Sequence, residues 1–427
     1  MIKLPIFKIA LFLCILSNIY GQTELNVSLK PQVAKFFCWA ASSEMVLSFN
    51  GFPQNQCKLV KRYANTSGVN PNPICCNSLC LNGSCPYPIS PCTTCSDIVL
   101  TDGNYIKSVL DYYMLKSTIA NNGNLITRIT WDRLTKQIDN CKPMVAVFDV
   151  EGNSTDTEFF GRHAATIKGY WIPSSPTDSF IMIADPWKPC IGDSSVFINF
   201  AVVRGLTTGN RYKNIFEYFY DMLPKNPATI ISCNPNRYKV SESTQRLMKN
   251  GILKTLSISE FNALSYTKIP LRFVLPNTLL PNFQNHRVGD TLRENDLVEV
   301  IDQTGEVPIV TVMQLVKSKW RPVEIKRFDY LPSITVKIDN KDVILNNSNM
   351  GGDNVPFEHI IFSESFYEFY RFKYNGKEYL VPIFDTTNLK VNNKKVFQYK
   401  PYNINNIWKT INNNTPNLIM PNNSKKY

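Results

Sequence analysis

One cysteine in the N-terminal part of the sequence stands where a thiol can act as a nucleophile. Cys38 opens a helix-compatible stretch, residues 38–49, which ends at the helix-stop pair Asn50-Gly51. Unsatisfied backbone N–H groups at a helix N-terminus favour the thiolate, which is the form of cysteine that attacks a carbonyl carbon. The position of Cys38 therefore predicts nucleophilic catalysis of acyl transfer.

A thiol nucleophile needs a base, and His163 is the best candidate among the three histidines of the chain. It begins a β-like stretch directly after Gly161-Arg162, where a stiff backbone can fix the imidazole ring. The alternative is a buried histidine with a purely structural role. His286 and His359 lie in the second half without comparable neighbours, and we interpret both as structural or exposed.

Three further residues complete a possible catalytic arrangement. Asp185 follows the predicted strand 180–184 and can orient an imidazole, although an Asp before Pro186 is also a common turn former. Trp187 can cover the Asp–His hydrogen bond and exclude water. Gln32, six positions before Cys38, can donate its side-chain amide to an oxyanion beside the Cys38 backbone N–H.

These segments resemble the three landmark segments of papain-like cysteine peptidases. The matching strings are Gln32…Cys38-Trp39-Ala, His163-Ala…Gly169-Tyr170 and Asp185-Pro186-Trp187. The short Cys-Trp-Ala-Ala opening and the Asp as third member are closer to the bacterial, bacteriocin-peptidase-like branch than to plant and lysosomal enzymes. Residues 35–37, Lys-Phe-Phe, replace the Gly-Ser-Cys that is usual in the eukaryotic enzymes.

The resemblance covers about residues 28–222 and implies a two-lobed papain-like fold, with a cleft between a helical lobe and a β-sheet lobe. It implies that Cys38 is the nucleophile, that His163 is the general base and acid, and that Asp185 orients His163. Gln32 is then the oxyanion donor, with Trp39 and Trp187 in supporting positions. No cofactor is implied.

The first 21 residues have the composition of a secretory signal peptide. Two lysines in residues 1–8 precede an apolar run over residues 9–16, and Gly21-Gln22 is a plausible cleavage point. The alternative is a membrane anchor, but a span requires about 20 apolar residues. We therefore expect a secreted or periplasmic protein with no integral membrane segment in the mature chain.

The charge of the protein gives no sign of a nucleic-acid partner. The net charge is +12 and becomes about +10 without Lys3 and Lys8. Because the basic residues are dispersed rather than clustered, we expect no nucleic acid as a partner. The expected partner is a protein or peptide substrate, bound by a monomer.

The cysteines favour an oxidising compartment. Twelve cysteines less Cys14 of the signal leave eleven, so setting Cys38 aside as the free thiol leaves ten that can close five disulfides. A half zinc site at Cys92-Thr-Thr-Cys95 is the alternative for part of this group, and disulfides are favoured over it in an exported chain. The ten disulfide candidates are Cys57, Cys75, Cys76, Cys80, Cys85, Cys92, Cys95, Cys141, Cys190 and Cys233.

The order of elements predicts an α+β fold. Helices are predicted at residues 38–49, 105–115 and 131–139, and strands at 144–150, 164–171, 180–184 and 196–203. In the second half we predict a helix at 241–256 and strands at 309–316, 323–330, 334–338 and 366–384, the last containing an Asn375-Gly376 hairpin turn.

The end of the cysteines marks the predicted domain boundary. We predict a signal peptide at 1–21, a papain-like peptidase domain at 22–222 with a Cys-rich insertion at 57–95, a linker at 223–237, and a β-rich accessory α+β domain of unknown role at 238–427.

Three functional hypotheses remain open from the sequence. The leading one is an exported cysteine peptidase that hydrolyses peptide bonds through a thioester acyl-enzyme. The second keeps the Cys-His-Asp triad in a papain-fold amidase or transferase that acts on cell-wall peptides, which the basic charge mildly favours. The third is a catalytically inactive papain-fold binding protein.

Overall fold

The structure is a computed structural model. The described residues are 22–33, 37–67, 104–121, 128–151, 159–172, 179–187, 192–205, 212–224, 255–274, 292, 296–303, 308–327, 333–347, 354–362, 368–383, 390–391, 394–404 and 407. The predicted signal peptide and most of the Cys-rich insertion lie outside them.

The N-terminal half combines helices with an antiparallel sheet. In the described residues of this half, the helices are α1 (Cys38–Phe49), α2 (Gln56–Ser67), α3 (Asn104–Tyr112), α4 (Trp131–Asp139) and α5 (Phe200–Val203). The strands are β1 (Gln22–Glu24), β2 (Leu115–Asn121), β3 (Met144–Glu151), β4 (Phe159–Trp171), β5 (Phe180–Asp185), β6 (Asp193–Asn199) and β7 (Tyr212–Pro224). The strand order is β2-β7-β3-β4-β5-β6, with β1 paired to β4.

Two apolar cores hold the helices against this sheet. Successive residues of a strand point to opposite faces. Accordingly, Val145 and Val147 of β3 pack with residues of α1, α2 and α3, whereas Ala146 and Phe148 pack in the core that contains α4 residues. Gly169 of β4 has no room for a side chain, because a Cβ there would lie 2.4 Å from the Thr23 carbonyl oxygen of β1.

The second half, as far as it is described, is almost entirely β-structure. One short helix, α6 (Ile258–Asn262), is described in it. The strands are β8 (Leu256–Ser257), β9 (Thr267–Val274), β10 (Leu297–Asp302), β11 (Ile309–Val316), β12 (Lys319–Arg327), β13 (Ser333–Ile338), β14 (Lys341–Asn346), β15 (Asn354–Val355), β16 (Phe357–Phe362), β17 (Glu368–Tyr374), β18 (Lys377–Pro382), β19 (Lys390–Val391), β20 (Lys394–Lys395) and β21 (Tyr402–Asn403).

The two halves share one continuous sheet. Strand β12 pairs antiparallel with β6, with Glu324 opposite Ile198 and Ile325 opposite Phe197. The sheet then continues in the order β12-β11-β10-β9-β16-β17-β18-β21. An apolar cluster spans the junction, and its members are Trp171, Phe180, Met182, Phe197, Ile309 and Ile325. The second half is therefore built onto the edge of the first half's sheet.

Several predicted elements are confirmed and others are corrected. The helices 38–49 and 131–139, the strand 309–316 and the Asn375-Gly376 turn are found as predicted, the turn with φ of 48° and 74°. The predicted strand 196–203 is wrong beyond Asn199, because the Asn199 side chain accepts a hydrogen bond from the Ala201 backbone N–H at 2.9 Å and caps α5.

Other predicted bounds also shift. Helix α3 ends at Tyr112, and Leu115 already belongs to β2. The predicted helix 241–256 lies outside the described residues except for its end, where Leu256 belongs to β8. Strand β7 runs through Pro224, so the first two residues of the predicted linker lie in it, and residues 225–237 are not described.

The cysteines of the described part fall into two groups. Cys38 is free, whereas Cys57 and Cys141 are each disulfide-bonded. The other eight disulfide candidates are not among the described residues, so the framework of five disulfides stays a prediction. In the part of the chain that the structure covers, no helix is long and apolar enough to cross a membrane.

Candidate active site

Cys38 is the first residue of α1, and the residue as a whole is half-buried. Phe37 precedes the helix and supplies no side-chain cap, so the first-turn N–H groups remain available to an anion. Burial acts to raise the pKa of the thiol. A hydrogen bond with His163, the charge of that imidazole and the backbone N–H groups of Ala164 and Trp39 outweigh it and lower the pKa.

His163 lies on β4 and is almost completely buried, with 2 % of its surface exposed. Its Nε2 is 2.6 Å from Oδ1 of Asp185. Because Nε2 is engaged there, Nδ1 is the nitrogen that hydrogen bonds with the Cys38 thiol. Burial acts to lower the pKa of His163, but the Asp185 carboxylate and Cys38 raise it to about 9.

Asp185 holds the imidazole and is itself held from two further sides. Strands β4 and β5 are antiparallel, with Thr166 opposite Ala184, so His163 and Asp185 meet near one end of the pair. Oδ1 of Asp185 also accepts the Trp187 backbone N–H at 2.8 Å. Oδ2 accepts a hydrogen bond from the Tyr212 hydroxyl. The carboxylate is therefore fixed in orientation by three donors from three different segments.

Two aromatic rings enclose the His163 imidazole. The buried Trp187 ring stands edge-on to it, with ring centres 6.2 Å apart and an interplanar angle of 87°. The Tyr212 ring lies 6.1 Å away and packs in turn on Phe148 at 5.0 Å. The hydrogen bond between His163 and Asp185 is thereby shielded from water, which strengthens it electrostatically.

Gln32 lies next to the segment that carries Asp185. Its side chain is fully buried, and its backbone N–H donates to the Pro186 carbonyl at 3.0 Å. Trp39, in contrast, packs into the helical layer, where its ring stands 5.7 Å from Tyr63 of α2. Trp39 therefore supports the position of α1, while its backbone N–H faces the thiol.

Tyr212 is a residue of this site that no sequence motif indicates. The residue opens β7, which pairs with β3 rather than with β4 or β5. It is one of 20 tyrosines in the chain and lacks a motif around it. Only the pairing of β7 beside β3 brings its hydroxyl to Asp185.

The arrangement favours a charge-separated pair. The pKa of Cys38 is lowered and that of His163 is raised, each partly by the other, so the thiolate and imidazolium forms stabilise one another. Two such groups titrate as a pair rather than independently. Among the described residues, no group of His, Cys, Asp and Glu side chains could hold a metal ion.

Comparison with known proteins identifies one family. Residues 24–197 match the sequence model of the Peptidase_C39 like family, while no curated protein and no solved structure matches the chain. The matched region contains Gln32, Cys38, His163 and Asp185, and it ends before Tyr212. This match supports a bacteriocin-peptidase-like, C39-like cysteine peptidase in the N-terminal half of the chain.

Proposed function

We propose that the mature protein is an exported cysteine peptidase that hydrolyses peptide bonds through a thioester acyl-enzyme. The observation that carries this proposal is the position of His163, buried between the Asp185 carboxylate at 2.6 Å and the Cys38 thiol. The family match of residues 24–197 supports a peptidase in this half of the chain.

The proposed first step is acylation of Cys38. The thiolate attacks the carbonyl carbon of the scissile peptide bond, and the oxyanion takes hydrogen bonds from the Gln32 amide and the Cys38 backbone N–H. The His163 imidazolium gives its proton to the leaving amine as the C–N bond breaks. The products of this step are the free amine and a thioester on Cys38.

The second step is hydrolysis of that thioester. Neutral His163 takes a proton from water, the resulting hydroxide attacks the thioester carbonyl, and the C–S bond breaks to restore the thiolate–imidazolium pair. Asp185 holds the ring in one orientation throughout and stabilises its charged form. Tyr212 and the Trp187 backbone N–H hold Asp185.

The proposed fold of this half is papain-like and two-lobed. Helices α1 to α3 form a helical layer with Cys38 at its edge, and strands β3 to β7 form the sheet that carries His163 and Asp185. A site of this kind, between a helix N-terminus and a sheet, is consistent with residues 22–222 as the catalytic unit. Residues 238–427 are proposed to be accessory.

Export is part of the proposal and rests on residues 1–21 and on the cysteines. A chain with five disulfides and one free catalytic thiol suits an oxidising compartment. N-terminal sequencing of the protein from the medium or periplasm should begin at Gln22. A product that retains Met1, recovered from the cytoplasm, would contradict export without touching the proposed chemistry.

The activity is tested with the mature chain, residues 22–427. Labelled casein should be hydrolysed, iodoacetamide should alkylate Cys38 faster than free cysteine, and Cys38→Ala should abolish both reactions. Alkylation of Cys38 without casein hydrolysis, but with release of peptides from peptidoglycan, would favour the amidase hypothesis instead. Inertness in all three assays would favour the binding protein.

A further inference from the structure

A buried glutamine outside the triad holds the segment on which Gln32 lies. Gln56 is the first residue of α2, and only 4 % of its surface is exposed. The helix is capped by Asn55, whose Oδ1 accepts the Lys58 backbone N–H at 2.9 Å. The Gln56 side chain is therefore not needed for capping, and its amide is directed elsewhere.

The oxygen and the nitrogen of the Gln56 side-chain amide both hydrogen bond to the backbone, one on each side of Gln32. Oε1 accepts the Val33 backbone N–H at 3.0 Å, and Nε2 donates to the Pro31 carbonyl at 2.9 Å. These two bonds use the residue before and the residue after Gln32. Since the amide plane is rigid, they fix the direction of the backbone at Gln32 itself.

The same amide ties this segment to the helix that begins with Cys38. Nε2 of Gln56 also donates to Oε2 of Glu44 on α1 at 3.2 Å. Lys30, just before the segment, lies 3.8 Å from the other carboxylate oxygen of Glu44. On the opposite side, the Gln32 N–H donates to Pro186, next to Asp185. Residues 30–33 are therefore held between the nucleophile's helix and the strand end that orients the base.

We propose that Gln56 is a positioning residue of the active site, which acts by holding the Gln32 amide where an oxyanion forms. The inference rests on the proposed function, in which Gln32 stabilises that oxyanion. It assigns to Gln56 no contact with substrate. Its effect is expected only in reactions in which a carbonyl oxygen becomes negatively charged.

Two reactions of Cys38 separate this role from a general effect on folding. Casein hydrolysis passes through an oxyanion and needs a placed donor. Alkylation by iodoacetamide forms a C–S bond and expels iodide, and no oxyanion forms in this reaction. Its rate therefore reports only how much of Cys38 is thiolate and how accessible the sulfur is to the reagent. Gln56→Met keeps the length of the side chain and removes every hydrogen bond that the amide makes.

We expect Gln56→Met to lower kcat for casein about tenfold, which is less than the 10²- to 10³-fold loss typical of deleting an oxyanion donor outright. The rate of Cys38 alkylation should stay at the wild-type value. Gln32→Ala should lower kcat for casein more than Gln56→Met does. The double variant should have the same kcat as Gln32→Ala, because Gln56 acts through Gln32.

The chain offers a matched control on the far side of the sheet. Gln137 of α4 makes two hydrogen bonds with Asp221. Its Oε1 accepts the Asp221 backbone N–H and its Nε2 donates to Oδ1 of Asp221, each at 2.9 Å. Gln137→Met removes a buried glutamine clamp of the same kind away from Cys38. It should leave both kcat and alkylation at wild-type values when compared at equal folded fraction.

Several results would overturn the inference. Equal losses of hydrolysis and alkylation in Gln56→Met would mean that Gln56 supports only the helix of Cys38. A kcat of Gln56→Met equal to that of Gln137→Met would show that Gln56 has no positioning role. If the losses of kcat from Gln32→Ala and Gln56→Met multiply in the double variant, Gln56 does not act through Gln32. If the wild-type chain neither hydrolyses casein nor is alkylated at Cys38, the proposed function falls and this inference falls with it.

Discussion

The two halves of the molecule each contain a buried histidine beside a carboxylate, and in the first half that histidine also hydrogen bonds with a thiol. His163 lies 2.6 Å from Asp185, and His359 of β16 has its Nδ1 2.9 Å from Oε2 of Glu299. Both side chains are at most 2 % exposed. In both, burial opposes the charged form but the carboxylate partner prevails, and each pKa rises to about 9.

The difference lies on the second ring nitrogen. In His163 that nitrogen meets the Cys38 thiol, with which it can exchange a proton. In His359 it faces a second carboxylate, Glu368, at 3.3 Å. His359 is therefore held as a cation between two anions, which is a structural role. Burial and a carboxylate partner do not distinguish the two histidines, whereas the group on the second nitrogen does.

The largest expected effect is on activity, where replacement of His163 and replacement of His359 should differ. Glutamine can donate one hydrogen bond but cannot carry a proton to or from a substrate, so His163→Gln should lower casein hydrolysis about 10²- to 10⁴-fold. His359→Gln should leave turnover per folded molecule unchanged. Rates normalised to folded protein by circular dichroism decide this. Similar losses in the two variants would erase the distinction.

The next largest effect is on stability, where the same two variants should differ in their free energy of unfolding. His359→Gln removes the cation between Glu299 and Glu368 and should cost about 3–5 kcal/mol of unfolding free energy, as broken buried ion pairs do. His163→Gln should cost less, because Asp185 keeps the Tyr212 hydroxyl and the Trp187 N–H as donors. Urea unfolding of both variants measures the difference. A larger loss for His163→Gln would contradict this account of the two sites.

Removal of one hydroxyl tests how far orientation of the base matters. Tyr212→Phe deletes the hydrogen bond to Oδ2 of Asp185, and such bonds to charged groups contribute roughly 1.5–3 kcal/mol, so kcat should fall about tenfold or somewhat more. Tyr218→Phe is the control on the same strand, since its hydroxyl accepts from Arg133 at 2.6 Å instead. Equal kcat values for the two variants would exclude a positioning role for Tyr212.

The smallest effect is a pH dependence of stability. Because the folded pKa of His359 is raised to about 9 from an ordinary 6.5, its contribution is fully present below about pH 6.5 and is lost as the pH rises through 9. The difference in unfolding free energy between wild type and His359→Gln should therefore shrink by about 1–3 kcal/mol over that window. His163 is present in both proteins and cancels. A constant difference from pH 6 to 10 would argue that His359 is neutral in the fold.

Local sequence patterns were enough to select Cys38, His163 and Asp185, which the structure brings together. The bounds of α1 follow from its composition and from the Asn50-Gly51 stop, so Cys38 could be placed at a helix start. The meeting of His163 and Asp185 follows from two adjacent apolar runs that pair antiparallel. Each of these inferences uses residues that are neighbours along the chain or on consecutive strands.

Contacts between distant segments could not be predicted in this way. Tyr212 reaches Asp185 only because β7 is inserted beside β3, and Gln56 reaches Pro31 and Val33 across a helix–loop contact. The pairing of β12 with β6 could not be predicted from local sequence either, because the sequence of an apolar strand does not specify which strand it pairs with. The run 196–203 was misassigned beyond Asn199 because a short apolar stretch fits a strand and a helix equally well.

The central claim is that Cys38 and His163 form a thiolate–imidazolium pair, and the pH profile of Cys38 alkylation tests it most directly. The rate with iodoacetamide should be half-maximal below the ordinary thiol pKa of about 8.5, and His163→Gln should move that midpoint upward. A wild-type midpoint near that of free cysteine, unchanged in His163→Gln, would contradict the pair and with it the proposed chemistry.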